Sequence, residues 1–134
     1  MNSPAFQYQK LDVQTLVSSA SPHKLISMLF DGACSRLVKA QGCASRDDHE
    51  GRSHGIGEAV SIVNGLQASL DQQNGGELAE NLDALYDYML RRLYEANRDN
   101  DAAGIREVLD LLRTLQEAWH AIDPEVTRAE IVGG

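Results

Sequence analysis

The sequence predicts an all-α protein: an antiparallel up-down four-helix bundle with a loosely ordered N-terminal arm. Three observations carry that expectation. Apolar residues recur every three or four positions in four separate segments, the period of a helix face. The connections between those segments are short, which makes consecutive helices antiparallel neighbours. No stretch alternates apolar and polar residues as a strand does. At 134 residues the chain suits one domain, large enough to bury a core without a metal or disulfide.

Residues 1–20 stand apart. Phe6, Tyr8, Leu11, Val13, Leu16 and Val17 are interleaved with Gln7, Gln9, Asp12, Gln14 and Thr15, and Leu11 and Val13 are two apart rather than three or four. That spacing predicts an extended arm with apolar anchors. A frayed terminus without a role has the same composition.

The first helix has a sharp start. Ser21 is a good N-cap, and Pro22 fits the first helical position, where its missing N–H costs nothing. Leu25, Leu29, Ala33, Leu37 and Ala40 form its stripe, with Ile26 and Met28 at the edges. Gly32 and Ala33 would let a neighbour come close, and the helix should fade between Gly42 and Arg46. The next stretch is poorly specified: Gly51, Gly55 and Gly57 each cost a helix interior about 1 kcal/mol relative to alanine. From Glu58 the period is clear again in Ala59, Val60, Val63, Leu66 and Leu70, which predicts a second helix over about 56–72 with a weak extension back to 48.

Gln72 to Gly76 reads as a turn, and Asn74 followed three residues later by Glu77 has the spacing of a capping box. The third helix is the best specified. Leu78, Leu82, Leu85, Met89, Leu93 and Ala96 form a seam suited to left-handed bundle packing. Asp87 and Arg91 stand as a favourable i, i+4 pair. After a break at Arg98 to Asp101, the fourth helix carries Ile105, Val108, Leu112, Leu115, Trp119 and Ile122, and Asp123-Pro124 ends it. The chain thus divides into an arm (1–20), a bundle (21–123) and a tail (124–134).

A net charge of −8 argues against nucleic acid and anionic membranes as partners. Met1-Asn2-Ser3-Pro4 has neither the basic flank nor the apolar run of a secretory signal, and no run approaches the ~20 apolar residues of a membrane span. A cytoplasmic location is expected. Cys34 and Cys43, nine residues apart on one helix, would face opposite sides about 13 Å apart along the axis. That is too far for a disulfide, so free thiols in a reducing compartment are expected.

Chemistry is sparse. A di-iron bundle needs two Glu-x-x-His pairs. Glu117 and His120 make one, but Ala20, Arg46 and Gly51 stand three residues before His23, His49 and His54. Cys43, His49 and His54 match no structural zinc spacing. No phosphate-binding glycine loop or nucleophile elbow appears. No metal, no cofactor and no enzymatic activity are expected.

Apolar surface, by contrast, is in surplus. Tyr86 and Leu90 flank the stripe of the third helix, from which Tyr94 points away; Ile62 lies off the stripe of Val63 and Leu66; Leu109 and Leu111 flank Val108 and Leu112. Such width fits either a broad core or a partner groove, and periodicity leaves both open.

Three stretches carry a family resemblance. The central one runs from Leu66-Gln-Ala-Ser-Leu-Asp71 through Gly75-Gly-Glu-Leu-Ala-Glu-Asn-Leu-Asp-Ala-Leu-Tyr-Asp-Tyr-Met89 to Arg91-Arg-Leu-Tyr-Glu-Ala-Asn97. Ala20-Ser-Pro-His-Lys-Leu-Ile26 with Met28-Leu-Phe-Asp-Gly-Ala33 precedes it, and Leu109-Asp-Leu-Leu-Arg-Thr-Leu-Gln-Glu-Ala-Trp119 follows. Together, over about residues 20–121, they strongly resemble the FliS family of flagellin-export chaperones.

That resemblance implies a bundle in the bacterial cytosol that binds the disordered C-terminal region of flagellin, keeps it monomeric and helps deliver it to the flagellar export gate. The surplus apolar face then becomes a client groove, with Ile62, Leu66, Tyr86 and Leu90 as partner-binding candidates. The family's arm is expected to lie over part of the groove, making Tyr8, Leu11, Val13 and Leu16 substrate mimics. The chain would be a monomer or weak homodimer. The competing expectation is a clientless structural bundle whose second face closes a homodimer. One departure stands out: the family has continuous helix where this chain has the glycine-rich 51–57 segment, which is expected to order only with substrate.

Overall fold

The computed structural model describes residues 21–124. They form four helices: α1 (Pro22–Ser45), α2 (His49–Ala68), α3 (Gly76–Asp99) and α4 (Ala102–Ala121). α1 packs on α2 and α4, and α3 packs on the same two. Helices consecutive in sequence are therefore neighbours around the bundle, in the expected up-down order. The arm, with Tyr8, Leu11, Val13 and Leu16, lies outside the described residues, as does the tail beyond Pro124.

Ser21 caps α1 as expected, its Oγ accepting the Lys24 N–H at 3.1 Å, with Pro22 opening the helix. Leu37, Val63, Leu66, Met89, Leu93, Ile105, Val108, Leu109 and Leu112 are fully buried at the centre. Each such side chain contributes about 1.5–3 kcal/mol. α1 and α2 approach closely because small residues face each other. A Cβ on Gly55 would sit 3.2 Å from both the Ala40 Cβ and the Arg36 carbonyl oxygen. Gly55→Leu should therefore lower stability by roughly 1–3 kcal/mol in urea unfolding. An unchanged midpoint would mean that the close crossing is not needed.

Several sequence expectations need correction. α2 begins at His49, so the extension back to about 48 is regular helix rather than a weak one, and it ends at Ala68, not 72. The 51–57 stretch is helical. Its glycines are offset by Asp48, whose Oδ1 caps the Gly51 N–H at 3.0 Å, and by the α1 contact at Gly55. The Asn74–Glu77 capping box does not form: Gly75 is the N-cap of α3 with no side-chain bond, and Asn74 turns back to Asp71. Asp87 accepts from Gln67 Nε2 at 2.8 Å instead of pairing with Arg91. On α3, Leu78 is 68% exposed and Tyr86 is buried, so the core face is rotated from the predicted stripe.

The end of the bundle holding the α1–α2 and α3–α4 connections is closed by a polar clasp. Arg52 is buried, yet among the described residues it pairs with no carboxylate. Its Nε donates to Asn97 Oδ1 at 2.9 Å, and its NH1 nitrogen lies 2.6 Å from both Asn100 Oδ1 and His49 Nδ1. Asn100 caps α3 in the left-handed region (φ 51°) and donates through Nδ2 to Asp47 Oδ1 at 3.2 Å. The start of α2 and the end of α3 are thus tied to one guanidinium.

Surface carboxylates fasten the rest. Asp101 caps α4, and the Gly104 amide, then Arg92, hold its carboxyl below the ordinary value of 3.8. The Gly51 amide lowers Asp48 in the same way, and the Tyr88 hydroxyl, followed by Arg92, lowers Glu107. For such groups the folded state holds its protons more weakly than the unfolded chain. Their stabilisation is fully present above the ordinary values, 3.8 for the two aspartates and 4.5 for Glu107, and is lost as pH falls through the lowered folded values. The thermal midpoint should therefore drop on acidification from about pH 5 towards about pH 2, the window in which paired carboxylates take up their protons. A midpoint that rose over that range would contradict this assignment.

Candidate functional site

In an up-down bundle the starts of α1 and α3 share one end with the finishes of α2 and α4. At that end an apolar cleft of about 500 Å³ opens. Ile26 and Phe30 reach it from α1, Leu70 from just after α2, and Leu78, Leu82 and Tyr86 from α3. Leu115 and Trp119 of α4 complete it, with Ile122 just beyond. Ser69 and Asp71 are its polar lining. Leu78 and Ile122 leave 68% and 62% of their surface in solvent. Large aliphatic side chains so exposed beside an apolar cleft mark a surface built to be covered.

The walls are positioned by local chemistry. The Trp119 Nε1 donates to the His23 carbonyl at 3.0 Å, and the His23 ring stacks on the indole at 4.4 Å with planes 6° apart. This fixes the indole between α1 and α4. Among the described residues, His23 Nε2 is buried with no hydrogen-bond partner. The α2–α3 connection is held by Asp71, whose carboxylate accepts from the Gln73 and Asn74 amides and from Asn74 Nδ2 at 2.9–3.2 Å. The Asn74 bonds, side chain first, hold the Asp71 carboxyl below its ordinary range. Gly75 is required there, since a Cβ would meet the Ala79 Cβ at 2.5 Å and the Asp71 carbonyl oxygen at 2.6 Å. Gly76 follows with φ +55°, a conformation open to glycine. Burial in the cleft wall raises the Tyr86 hydroxyl above its ordinary value.

The candidate partner residues are dispersed. Tyr86 is on the cleft wall, 3% exposed. Leu66 is sealed in the core and offers no surface in this state. Ile62 is half-buried, with its Cδ1 against α1 at Gly32. Leu90 is half-buried beside a shallow hollow with Ala84, Asp87 and Arg91. The sequence pattern presents the cleft residues Leu78, Leu82, Leu115, Trp119 and Ile122 only as core stripe. The available signal is that both stripes run to the helix limits, Leu78 near the start of α3 and Ile122 past the end of α4, at one shared end of the bundle.

Apart from Ser69 and Asp71 the lining of the cleft is apolar or aromatic. Among the described residues no three His, Cys, Asp or Glu gather as metal ligands. His49 Nδ1 is engaged by Arg52, His54 faces Glu58 at 3.3 Å, and Glu117 and His120 are exposed. No described helix is long and apolar enough to cross a membrane.

The family profile described as "Flagellar protein FliS" matches residues 4–126. The "Flagellar secretion chaperone FliS" of Salmonella typhimurium is 48% identical, covering 92% of each chain. "Flagellar secretion chaperone FliSB" of Pseudomonas aeruginosa is 43% identical over 87% of this chain and 92% of its own. The Bacillus subtilis "Flagellar secretion chaperone FliS" is 31% identical over 89% and 85%.

Proposed function

The chain belongs to the FliS family of flagellar proteins, and from that premise we propose that it is a cytoplasmic, non-enzymatic export chaperone for the C-terminal segment of flagellin. The observation that carries this reading is the end cleft, apolar within and rimmed by exposed Leu78 and Ile122.

The physical logic is competition for a face. Flagellin's C-terminal helices polymerise by packing apolar stripes together, so a free monomer carries adhesive amphipathic segments. A bundle that offers an apolar cleft to one such stripe occupies it and blocks polymerisation. Binding is coupled to folding of the client, so part of the contact free energy is spent on ordering it. The remaining affinity is tight yet reversible when the complex is delivered to the export gate. Ile62, Leu66 and Leu90 join the contact if the client runs on from the cleft along α2 and α3, with Leu66 reached only after local repacking.

The arm, through Tyr8, Leu11, Val13 and Leu16, competes with the client for the same surface and is displaced on binding. Deleting residues 1–18 should then raise the on-rate. An unchanged on-rate and affinity would eliminate the arm's role.

The decisive experiment is calorimetric titration of the monomer with a flagellin C-terminal peptide of about 50 residues, long enough to fold on binding. One-to-one binding with a strongly negative heat capacity and a gain of helix is expected. No binding by a chain that runs as a stable dimer would instead assign the cleft to self-association.

A further inference from the structure

A second surface lies further along α1 from the end cleft. Between α1 and α2 runs a trough of about 410 Å³. One wall is Ser35, Lys39 and Cys43, every fourth residue of α1; Gly51, Gly55 and Glu58 of α2 face it. Eight residues of helix make the trough about 12 Å long. Gly51 and Gly55 contribute no side chain to it: Gly55 lets α2 close on Ala40 and Arg36 of α1, and the space beside Gly51 is taken by the Asp48 carboxylate and the Cys43 Sγ.

Its charge is opposite to that of the molecule. The chain carries −8 overall. α1, however, has Lys24, Arg36 and Lys39 against Asp31 alone, whereas α3 has Glu77, Glu80, Asp83, Asp87, Glu95 and Asp99 against Arg91, Arg92 and Arg98. Arg36, Lys39, His54 and Glu58 line the trough, and at its Cys43 end stand Arg46 and the Asp48 carboxylate, so the cations still outnumber the carboxylates. Glu58 is divided between Arg36 at 3.9 Å and His54 at 3.3 Å, both in solvent. Exposed Lys39 has no carboxylate within ion-pair distance among the described residues.

We propose that this trough docks an acidic segment of a protein partner, its carboxylates taken by Arg36 and Lys39. Charge complementarity selects the occupant. An acidic chain repels an acidic partner everywhere except at a local cationic patch, so the surrounding negative surface fixes where and in which orientation the partner lands. The same negative surface disfavours nucleic acid, whose phosphates would overrun the short patch. The trough is separate from the end cleft, so a client and an acidic partner could be held together.

The test is fluorescence anisotropy with the full chain and a labelled helical peptide bearing glutamate at every third or fourth position, beside its glutamine counterpart. The glutamate peptide should bind and the glutamine peptide should not. Binding should weaken several-fold between about 50 and 200 mM salt. R36E/K39E should weaken it at least about tenfold, with unchanged circular dichroism and unchanged affinity for the flagellin peptide. Bound peptide should also slow alkylation of half-exposed Cys43, with buried Cys34 as the internal reference. Equal binding of the two peptides, insensitivity to R36E/K39E, or equally tight binding of a single-stranded oligonucleotide would each overturn the proposal. Loss of flagellin binding with the acidic site intact would instead count against the end cleft.

Discussion

An Arg52→Ala chain should unfold about 2–3 kcal/mol more readily than the parent. The substitution removes a buried side chain and strips Asn100 Oδ1 and His49 Nδ1 of their donor. Asn97 Oδ1 would be less affected, because the Ser53 hydroxyl donates to it at 3.0 Å. Lysine should recover little, since one ammonium cannot fork to acceptors on α2 and α3 together as the planar guanidinium does. Glutamine is the informative replacement: it restores a donor without charge, and partial recovery would show that hydrogen-bond geometry matters more than charge. Urea unfolding with a common m-value measures all three. A loss below about 0.5 kcal/mol for alanine would mean that water satisfies the same acceptors and that the clasp adds nothing.

The double variant Leu78→Asp, Ile122→Asp should lose about a hundredfold in affinity for the flagellin peptide, about 2.7 kcal/mol. Both side chains are mostly in solvent in the free chain. Stability should therefore move by no more than about 0.5 kcal/mol, so the loss cannot be ascribed to unfolding. Trp119 supplies an internal reading of the same event. It is the single tryptophan of the chain and lies on the cleft wall, so its emission should shift to shorter wavelength as the client excludes water. Unchanged binding by the double variant, with a silent Trp119 and weakened binding by Leu90→Asp, would move the client from the bundle end to the α2–α3 face.

What could be read from the sequence was whatever depends on near neighbours. Ser21-Pro22 marks the start of α1 because a cap and a proline act within one turn. Leu37, Val63, Met89, Leu93, Val108 and Leu112 fall in the core because a helical stripe has one dry side. The start of α2 was legible only as a weak extension because the glycines, unfavourable alone, are compensated by partners elsewhere: Ala40 across the helix pair, and Asn97 and Asn100 through Arg52. Asn74 misled for a related reason, its amide preferring the Asp71 carboxylate to the amides of the next helix. The cleft was legible as residues but not as a place. Leu78 and Ile122 resemble ordinary stripe positions until the antiparallel order brings the start of α3 beside the end of α4. No local pattern distinguishes Tyr86, on the cleft wall, from Leu66, which is sealed inside.

Ser21 and Ile122 both stand at the cleft end of the bundle, the first opening α1 and the second closing α4. Anything tethered at either point is therefore present there at an effective concentration of about 1 mM, whatever the bulk dilution. A tethered segment with a dissociation constant of about 10 µM would then weaken a free client about a hundredfold, without touching a single cleft residue. The same arithmetic applies to an affinity tag or a fluorescent fusion tethered there. A hydrophilic tag would be neutral, whereas one with even a short apolar stripe would act as a covalently supplied inhibitor.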